Sequence, residues 1–422
     1  MKRESFITEF LAKSSYQLLV LFSFCIPLNK KIIPFIIGTS LLFWLLHLDL
    51  KKETRNLMNN KYLLLFISLF LLYCFGIIYS TNLQYGIGDL ILKLPLLIFP
   101  LIISKFNHLP FDKLKTFFYA YIFGCLIACI ICIIHAAYDY SINNSLLAFF
   151  YGHLSIFHHP GYFAMYLNFA SFILLFFTVF KSNLLNNNLK YISLSLVVFF
   201  NIFVIFLSSK TGIGVAVLIL LCTVLYHFLI HKNLLRSSLI LLSIGTLFYL
   251  FQYIISNPIN HRFSETKEVI EHKAVAIDTK STESTEARIL VWEASIDILK
   301  SNFLFGVGTG DVKDVLLEKY KEKGMTGALE EKLNAHNQFL QTFIALGLPG
   351  LLLLMASFVV PFVLAFKSRN FIYMAFLLIV FLNFLTESML ETVSGVFFYA
   401  FFNSLLMISI NQKELSIYSN DK

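Results

Sequence analysis

The sequence predicts an all-α, polytopic integral membrane protein with about twelve transmembrane helices and one large extracytoplasmic helical loop. Hydrophobic residues make up 58% of its 422 residues and charged residues only 14%, whereas about 25% of the residues of a soluble domain are charged. Several apolar runs reach the roughly 20 residues that a helix needs to cross a bilayer. More than half of the acidic residues, 14 of 25, fall instead in one segment, residues 256–335.

The apolar runs give twelve candidate spans. They lie at about 15–29, 32–50, 62–80, 88–104, 115–137, 161–180, 191–208, 212–231, 235–255, 337–366, 371–388 and 392–411. Lys93, Pro95 and Pro100 fall inside the fourth span, which is therefore expected to be bent.

The distribution of lysine and arginine predicts the orientation. If the N-terminus is cytoplasmic, the short inner segments hold 18 basic residues and the short outer loops only three, Lys30, Lys31 and Lys210. Basic residues accumulate in cytoplasmic loops, so both termini are expected in the cytoplasm. The net charge of +8 is then a topology signal, and no nucleic-acid partner is expected.

The chain divides into four parts under this topology. Residues 1–255 hold transmembrane helices 1–9, and residues 256–335 form a large periplasmic loop with amphipathic helices. Residues 336–411 hold the segment that begins at His336 and helices 10–12, and residues 412–422 form a cytoplasmic tail.

The outer loop is expected to be structured from Thr285 onwards. Thr285–Ser301 has apolar residues at helical spacing, namely Ile289, Trp292, Ile296 and Leu299. Gly306–Gly310 predicts a turn that leads into a helix rather than a phosphate-binding loop, and Asp311 is the expected cap of that helix. The apolar face of this second helix is Val312, Val315, Leu316 and Tyr320.

No metal, cofactor or disulfide is expected. All six cysteines fall in apolar runs without histidine partners at metal-site spacing. His158 and His159 are adjacent and lack a third ligand at helical spacing, so they do not predict a metal site.

The topology gathers polar residues at the outer membrane face. Lys210 and Arg288 together suit a diphosphate, because a guanidinium binds phosphate oxygens in a bidentate manner. His336 has the near-neutral reference pKa of a general base. Each also has a plain structural interpretation: a snorkelling lysine, a solvated helix residue and an interfacial histidine. His158, His159, Tyr162, Glu387 and Glu391 complete the outer polar set.

The segment after His336 has two interpretations. As one helix, it would carry His336, Gly347 and Gly350 on a common face. Alternatively, Gly347 ends a short surface helix over residues 336–346 and Pro349 begins the span proper at 349–366.

Several motifs together resemble the O-antigen ligase and O-antigen polymerase superfamily. His336-Asn337, nine residues, Gly347, two residues and Gly350 are similar to its signature. The segment from Arg288 to Gly308 resembles the family's outer loop. The turn Ser208–Gly212 resembles its Ser-Arg-Gly turn, with lysine where the family more often has arginine. The resemblance is clearest over residues 190–405.

The resemblance implies a metal-independent, inverting glycosyltransferase at the periplasmic face of a bacterial inner membrane. Such enzymes transfer a glycan from undecaprenyl diphosphate to lipid A–core oligosaccharide in lipopolysaccharide biosynthesis. Arg288 and Lys210 would hold the diphosphate, His336 would take the acceptor proton, and Asn337, Gly347 and Gly350 would support the site. His158, His159, Tyr162, Glu387 and Glu391 receive no firm role from it and are candidate acceptor-side groups.

Three alternatives stay open at this point. An O-antigen polymerase and a protein O-glycosyltransferase belong to the same superfamily and share the donor. A lipid-linked sugar transporter would place ionisable residues near mid-membrane. The predicted spans are almost free of such residues, with Lys93 and His135 as partial exceptions, so a transporter is the weakest alternative.

Overall fold

The fold is helical, as the sequence predicts. A computed structural model of the chain describes residues 2–46, 49–106, 109–181, 184–231, 285–410, 412 and 415, which contain no strand. Its α-helices are α1 (Lys2–Cys25), α2 (Ile33–Leu45), α3 (Leu50–Asn59), α4 (Leu63–Ile77), α5 (Leu83–Lys93), α6 (Pro95–Ile103), α7 (Phe111–Asn143), α8 (Tyr151–Leu154), α9 (Pro160–Leu175), α10 (Asn187–Phe206), α11 (Lys210–His231), α12 (Thr285–Ser301), α13 (Val312–Glu322), α14 (Thr326–Glu330), α15 (Gln338–Lys367), α16 (Phe371–Phe384) and α17 (Val393–Ile408). The span predicted at 235–255 and the loop up to residue 284 lie outside the described residues.

Two helices form the centre of the bundle. Every residue of α9 is buried, and so is every residue of α17 from Ser394 to Met407. Helix α9 packs against α10, α11 and α16, while α17 packs against α6. A helix that is apolar on all sides belongs in the interior of a membrane protein, and both meet the outer polar residues at their N-terminal ends.

Among the described residues, five helical stretches are long and apolar enough to cross a membrane, or six if a bent pair counts as one span. The five are Leu83–Phe106, Phe111–Asn143, Pro160–Phe180, Asn187–Phe206 and Gln338–Lys367. Four further apolar helices or helix segments have 10 to 17 residues. The chain is thus a multi-pass membrane protein, and the count of twelve spans stays a prediction.

Polar residues near the ends of the predicted spans explain several differences in length. The span predicted at 32–50 ends as a helix at Leu45, because the Asp49 side chain accepts the amides of Lys51 and Lys52 and starts α3. Helix α3 and the following α4 form the bent pair, with an angle of 107° between them. The fourth predicted span is divided at Leu94 into α5 and α6, but Leu94 keeps helical backbone angles, so the bend stays a prediction.

The long helix α15 is broken at Gly347, as the second interpretation expects. Gly347 has φ 64° and ψ −159°, a conformation open to glycine. An added Cβ would lie 2.3 Å from the Leu304 carbonyl oxygen. The first piece nevertheless begins at Gln338, with Asn337 as its cap, so His336 precedes the helix rather than forming its first residue.

The turn at Gly306–Gly310 is seated on this break. The amides of Val307 and Gly308 donate to the carbonyls of Ile344 and Ala345, and the Leu348 amide donates to Phe303. These bonds satisfy carbonyls that the broken helix leaves unpaired. The next two amides also have protein partners, Thr309 to Gly76 O and Gly310 to Ser80 Oγ. The turn is therefore a structural connection, because its amides are used within the protein.

Two details of the outer segment differ from the sequence-based expectation. Helix α12 has the predicted bounds. Of its four predicted apolar residues only Leu299 is buried, and Ile296 is exposed; the rest of the buried face is Ala287, Val291, Ala294, Ser295 and Ile298. Small residues allow α12 to pack closely against α15. The pattern of larger apolar residues therefore predicts a partly different side of the helix. Asp311 does not cap α13; its carboxylate accepts the Thr81 and Asn82 amides instead. Of the predicted apolar face of α13, Val312, Leu316 and Tyr320 are buried, and Val315 is partly buried.

Candidate active site

A polar pocket opens where the N-terminal ends of α11 and α12 meet the turn between α16 and α17. Its lining residues come from five parts of the chain: Tyr151, His159, Gly161, Ser209, Lys210, Thr211, Arg288, Asn383, Thr386 and Glu387. Lys210 and Arg288 carry permanent positive charge, and Glu387 is the only carboxylate among the described lining residues. The pocket therefore favours an anionic ligand.

Glu387 contacts two of the predicted site residues, Arg288 and His336. Its Oε1 accepts from Arg288 Nη2 at 2.5 Å, and its Oε2 lies 3.1 Å from His336 Nδ1. The three side chains come from α12, the segment before α15 and the turn after α16, and all are partly buried. One carboxylate thus holds both a guanidinium that lines the pocket and an imidazole that is not among the described lining residues.

The local sequence around His336 holds the imidazole in place. Asn337 Oδ1 accepts the amides of Phe339 and Leu340, while its Nδ2 donates to the Leu385 carbonyl at 3.1 Å. Asn337 therefore starts α15 and also binds the turn that carries Glu387. His336 itself has φ 44°, a conformation that costs about 1 kcal/mol or more in a non-glycine residue.

The surroundings of Glu387 favour its ionised form. Burial raises the pKa of this carboxyl, but the hydrogen bond from His336 and the positive charge of Arg288 outweigh burial and hold the pKa below its ordinary value of 4.5. Helix α16 ends at Phe384, so Glu387 lies in the connecting turn. At neutral pH the carboxylate is therefore charged and accepts both bonds.

Lys210 lies across the pocket at the start of α11. Its Nζ donates to Thr285 Oγ1 at 3.2 Å, which links α11 to the first residue of α12. The neighbouring Thr211 exchanges a 2.9 Å hydrogen bond with Thr386, beside Glu387. Lys210 and Arg288 thus both line the pocket and are each hydrogen-bonded to a protein side chain.

The adjacent histidines have different environments. His159 lines the pocket; its Nδ1 accepts the Gly161 amide and its Nε2 lies 3.3 Å from Tyr151 Oη. His158 is buried away from the lining, with Nδ1 2.9 Å from Ser394 Oγ. Tyr162 is also buried, and its ring packs edge-on against His159. Only His159 of this group is placed to contact a ligand.

The two glutamates of the turn also separate. Glu387 lines the pocket, whereas Glu391 is absent from the described lining residues and binds Lys93 at 2.9 Å. Gly347 and Gly350 act on the backbone: the first permits the break in α15, and the second packs under Leu346. Within the described residues no cluster of three metal-ligating side chains occurs.

Sequence reasoning missed several residues that line the pocket, among them Tyr151 and Thr386. Tyr151 and Thr386 carry no sequence signal for such a role, because their partners lie far along the chain. Backbone conformation adds a signal that only the structure shows. Of the six non-glycine residues with positive φ in the described chain, Tyr151, Ser208 and His336 lie in or beside the pocket. Such residues concentrate at functional sites.

The comparison with known protein families gives one finding. A family model described as O-antigen ligase matches residues 194–355. The matched stretch contains Lys210, Arg288, His336, Asn337 and both signature glycines, while the residues at 158–162 and 387–391 lie outside it. No curated protein matches the chain.

Proposed function

We propose, from the similarity of residues 194–355 to the O-antigen ligase family model, that the protein is a ligase-type glycosyltransferase of that superfamily. The donor is a glycan on undecaprenyl diphosphate, and the acceptor is a hydroxyl of lipid A–core oligosaccharide. The reaction takes place at the periplasmic face of the inner membrane, with both termini of the chain in the cytoplasm. The observation that carries this proposal is the meeting of Arg288 and His336 on Glu387.

His336 serves as the general base. A carboxylate accepts hydrogen bonds, so Nδ1 is assigned the proton in the bond to Glu387, and Nε2 keeps its lone pair. Nε2 then takes the proton of the acceptor hydroxyl as its oxygen attacks the anomeric carbon of the donor. The charge of Glu387 stabilises the imidazolium that forms.

Arg288 and Lys210 serve the leaving group. As the acceptor oxygen bonds to the anomeric carbon, the bond from that carbon to the diphosphate oxygen breaks, and the sugar inverts. Undecaprenyl diphosphate leaves with the bonding electrons. The bond to Glu387 uses one of the five N–H donors of Arg288, and further donors serve the diphosphate. Two fixed cations at this position stabilise the charge that develops without a metal step.

The decisive experiment is a deletion strain complemented with the wild-type protein. A ligase predicts core oligosaccharide without polymer, together with long glycans that accumulate on undecaprenyl diphosphate. Core that carries a single repeat would instead assign the protein as a polymerase. Normal core glycan with unmodified secreted proteins would assign it as a protein glycosyltransferase.

A further inference from the structure

A buried cluster of charged side chains lies where the end of α5 meets the end of the turn that carries Glu387. Lys93, at the end of α5, is 0% exposed, and its Nζ donates to Glu391 Oε1 at 2.9 Å and to Asp89 one helical turn earlier. The Tyr73 ring centroid is 4.8 Å from the same nitrogen. None of these residues is among the described residues that line the pocket.

Burying these charged side chains has a free-energy cost. Ionisable residues inside a membrane protein cost several kcal/mol unless they are paired. Even a paired buried cluster is often no more stable than an apolar replacement of the same volume. Stability alone therefore gives no reason for a lysine and two carboxylates here, and the cluster is better explained by what it holds in position.

The cluster is part of a closed ring of contacts around the active-site turn. Glu391 ends the turn, and the preceding Leu390 amide donates to Gln338 Oε1 at 2.6 Å. Gln338 Nε2 donates to Thr342 Oγ1 at 3.1 Å, and Thr342 shares a 2.8 Å hydrogen bond with Tyr73. The contact between the aromatic face of Tyr73 and Lys93 closes this ring of contacts.

The ring holds both sides of the catalytic pair. Gln338 lies two residues after His336, and Glu391 lies four residues after Glu387. A shift of either segment would change the distance between His336 Nδ1 and the Glu387 carboxylate. That distance is 3.1 Å, within hydrogen-bond range.

We propose that Lys93 is a positioning residue for the transfer reaction: through its ion pair with Glu391 it fixes the turn that presents Glu387 to His336 and Arg288. The inference rests on the proposed function, because it assigns Lys93 a role in that site. Lys93 contacts neither substrate in this account and acts only through the turn.

Two isosteric substitutions test this role. Glu391→Gln and Asp89→Asn each change one carboxylate to an amide, and each leaves Lys93 paired with one remaining carboxylate. Only Glu391→Gln weakens the connection to the turn. Because a displacement of about 1 Å can cost about 100-fold, we expect Glu391→Gln to lower kcat by about 10- to 100-fold and Asp89→Asn to stay within about threefold of wild type. A Lys93 substitution is less suitable, since it leaves two buried carboxylates unpaired.

Two further measurements exclude a simple folding defect. A loss of folded protein would lower the apparent kcat of any variant by the same factor in every background. If Glu391 acts through Glu387, Glu391→Gln will have little further effect in a Glu387→Gln background, so the two losses will not multiply. The acceptor KM should also stay near wild type, because Glu391 is not expected to touch the acceptor.

The opposite results would overturn the inference. Equal losses from Asp89→Asn and Glu391→Gln would show that only the charge balance of the cluster matters. A raised acceptor KM in Glu391→Gln would make Glu391 an acceptor-binding group. If His336→Ala abolishes transfer while Glu391→Gln is fully active, the positioning role alone fails; if His336→Ala is fully active, the proposed function fails.

Discussion

Glu387 and Glu391 lie four residues apart in one turn and have opposite surroundings. Glu387 faces an open polar pocket and binds Arg288 and His336, whereas Glu391 faces the bundle interior and binds the sealed Lys93. The two side chains are 14% and 11% exposed, so burial does not separate them. Their partners do: one set can exchange contacts with a ligand, and the other is enclosed by protein.

This difference assigns Glu387 a part in the reaction and Glu391 a part in holding the backbone. A carboxylate that binds a base and a guanidinium at a pocket sets the orientation of groups that react. A carboxylate that binds an enclosed lysine sets the position of the backbone. Substitution of His336 should therefore remove most turnover, and substitutions around Lys93 should lower turnover no more than the loss of the Glu387 charge does, because their effects pass through Glu387.

The largest effect is expected at His336. His336→Ala removes the proposed base, and we expect kcat to fall by about 100- to 10,000-fold, the usual contribution of general acid–base catalysis. Transfer can be followed with purified protein and a lipid-diphosphate glycan donor. His153→Ala is the matched control, because His153 is exposed on α8, whereas His336 is hydrogen-bonded to Glu387. Comparable rates in the two variants would remove His336 from the mechanism.

The next effect is expected from Glu387→Gln, which keeps the shape of the side chain but removes its charge. We expect transfer to fall by about 10- to 100-fold, because charge-assisted bonds are worth about 1.5–3 kcal/mol. The variant should also unfold at a lower temperature than wild type at pH 7. The pKa of Glu387 is lowered in the folded protein, so its stabilising effect is complete above pH 4.5 and is lost as pH falls further.

Thermal unfolding at several pH values tests the direction in which the stabilising effect of Glu387 changes with pH. The difference in Tm between wild type and Glu387→Gln should be full at pH 7 and should narrow below pH 4.5. A difference that widens as the pH falls would mean that the folded protein prefers the protonated carboxyl, contrary to the contacts with Arg288 and His336.

The smallest effect is expected at Lys210. Lys210→Arg keeps the positive charge and adds donors, so the donor KM should stay within about threefold of wild type. Lys210→Met should raise the donor KM by about tenfold or more, because it removes a charge-assisted contact to the diphosphate. Equal KM values for the methionine variant and the wild-type protein would assign Lys210 to the structural contact with Thr285 alone.

The sequence predicts the helical class and the broken helix for reasons that are local. Gly347 and Pro349 are close enough in the chain for their backbone preferences to act on the same turn. Asp49 is equally local, yet it was included in a predicted span because its neighbours are apolar. The buried face of α12 is predicted only in part, since residue size, rather than hydrophobicity, decides which side approaches α15: Leu299 is buried as expected, but Ile296 is exposed.

The arrangement of the site depends on long-range pairing, which a single sequence does not contain. His336 and Glu387 are 51 residues apart, and Lys93 and Glu391 are 298 residues apart. Both glutamates were assigned the same candidate role, although only one lines the pocket. One local signal was present: Asp89 precedes Lys93 by four residues in an apolar run, a spacing that allows an ion pair on one helix.

The break at Gly347 determines which nearby residues of the chain tolerate substitution. The outer segment is attached to α15 there through main-chain amides and carbonyls, from Phe303 to Gly308 on one side and from Ile344 to Leu348 on the other. Main-chain bonds are the same for every residue type except proline at a donor position. Most side chains along this attachment can therefore mutate without moving it, whereas Gly306, Gly308 and Gly347, with positive φ and no room for a Cβ, cannot.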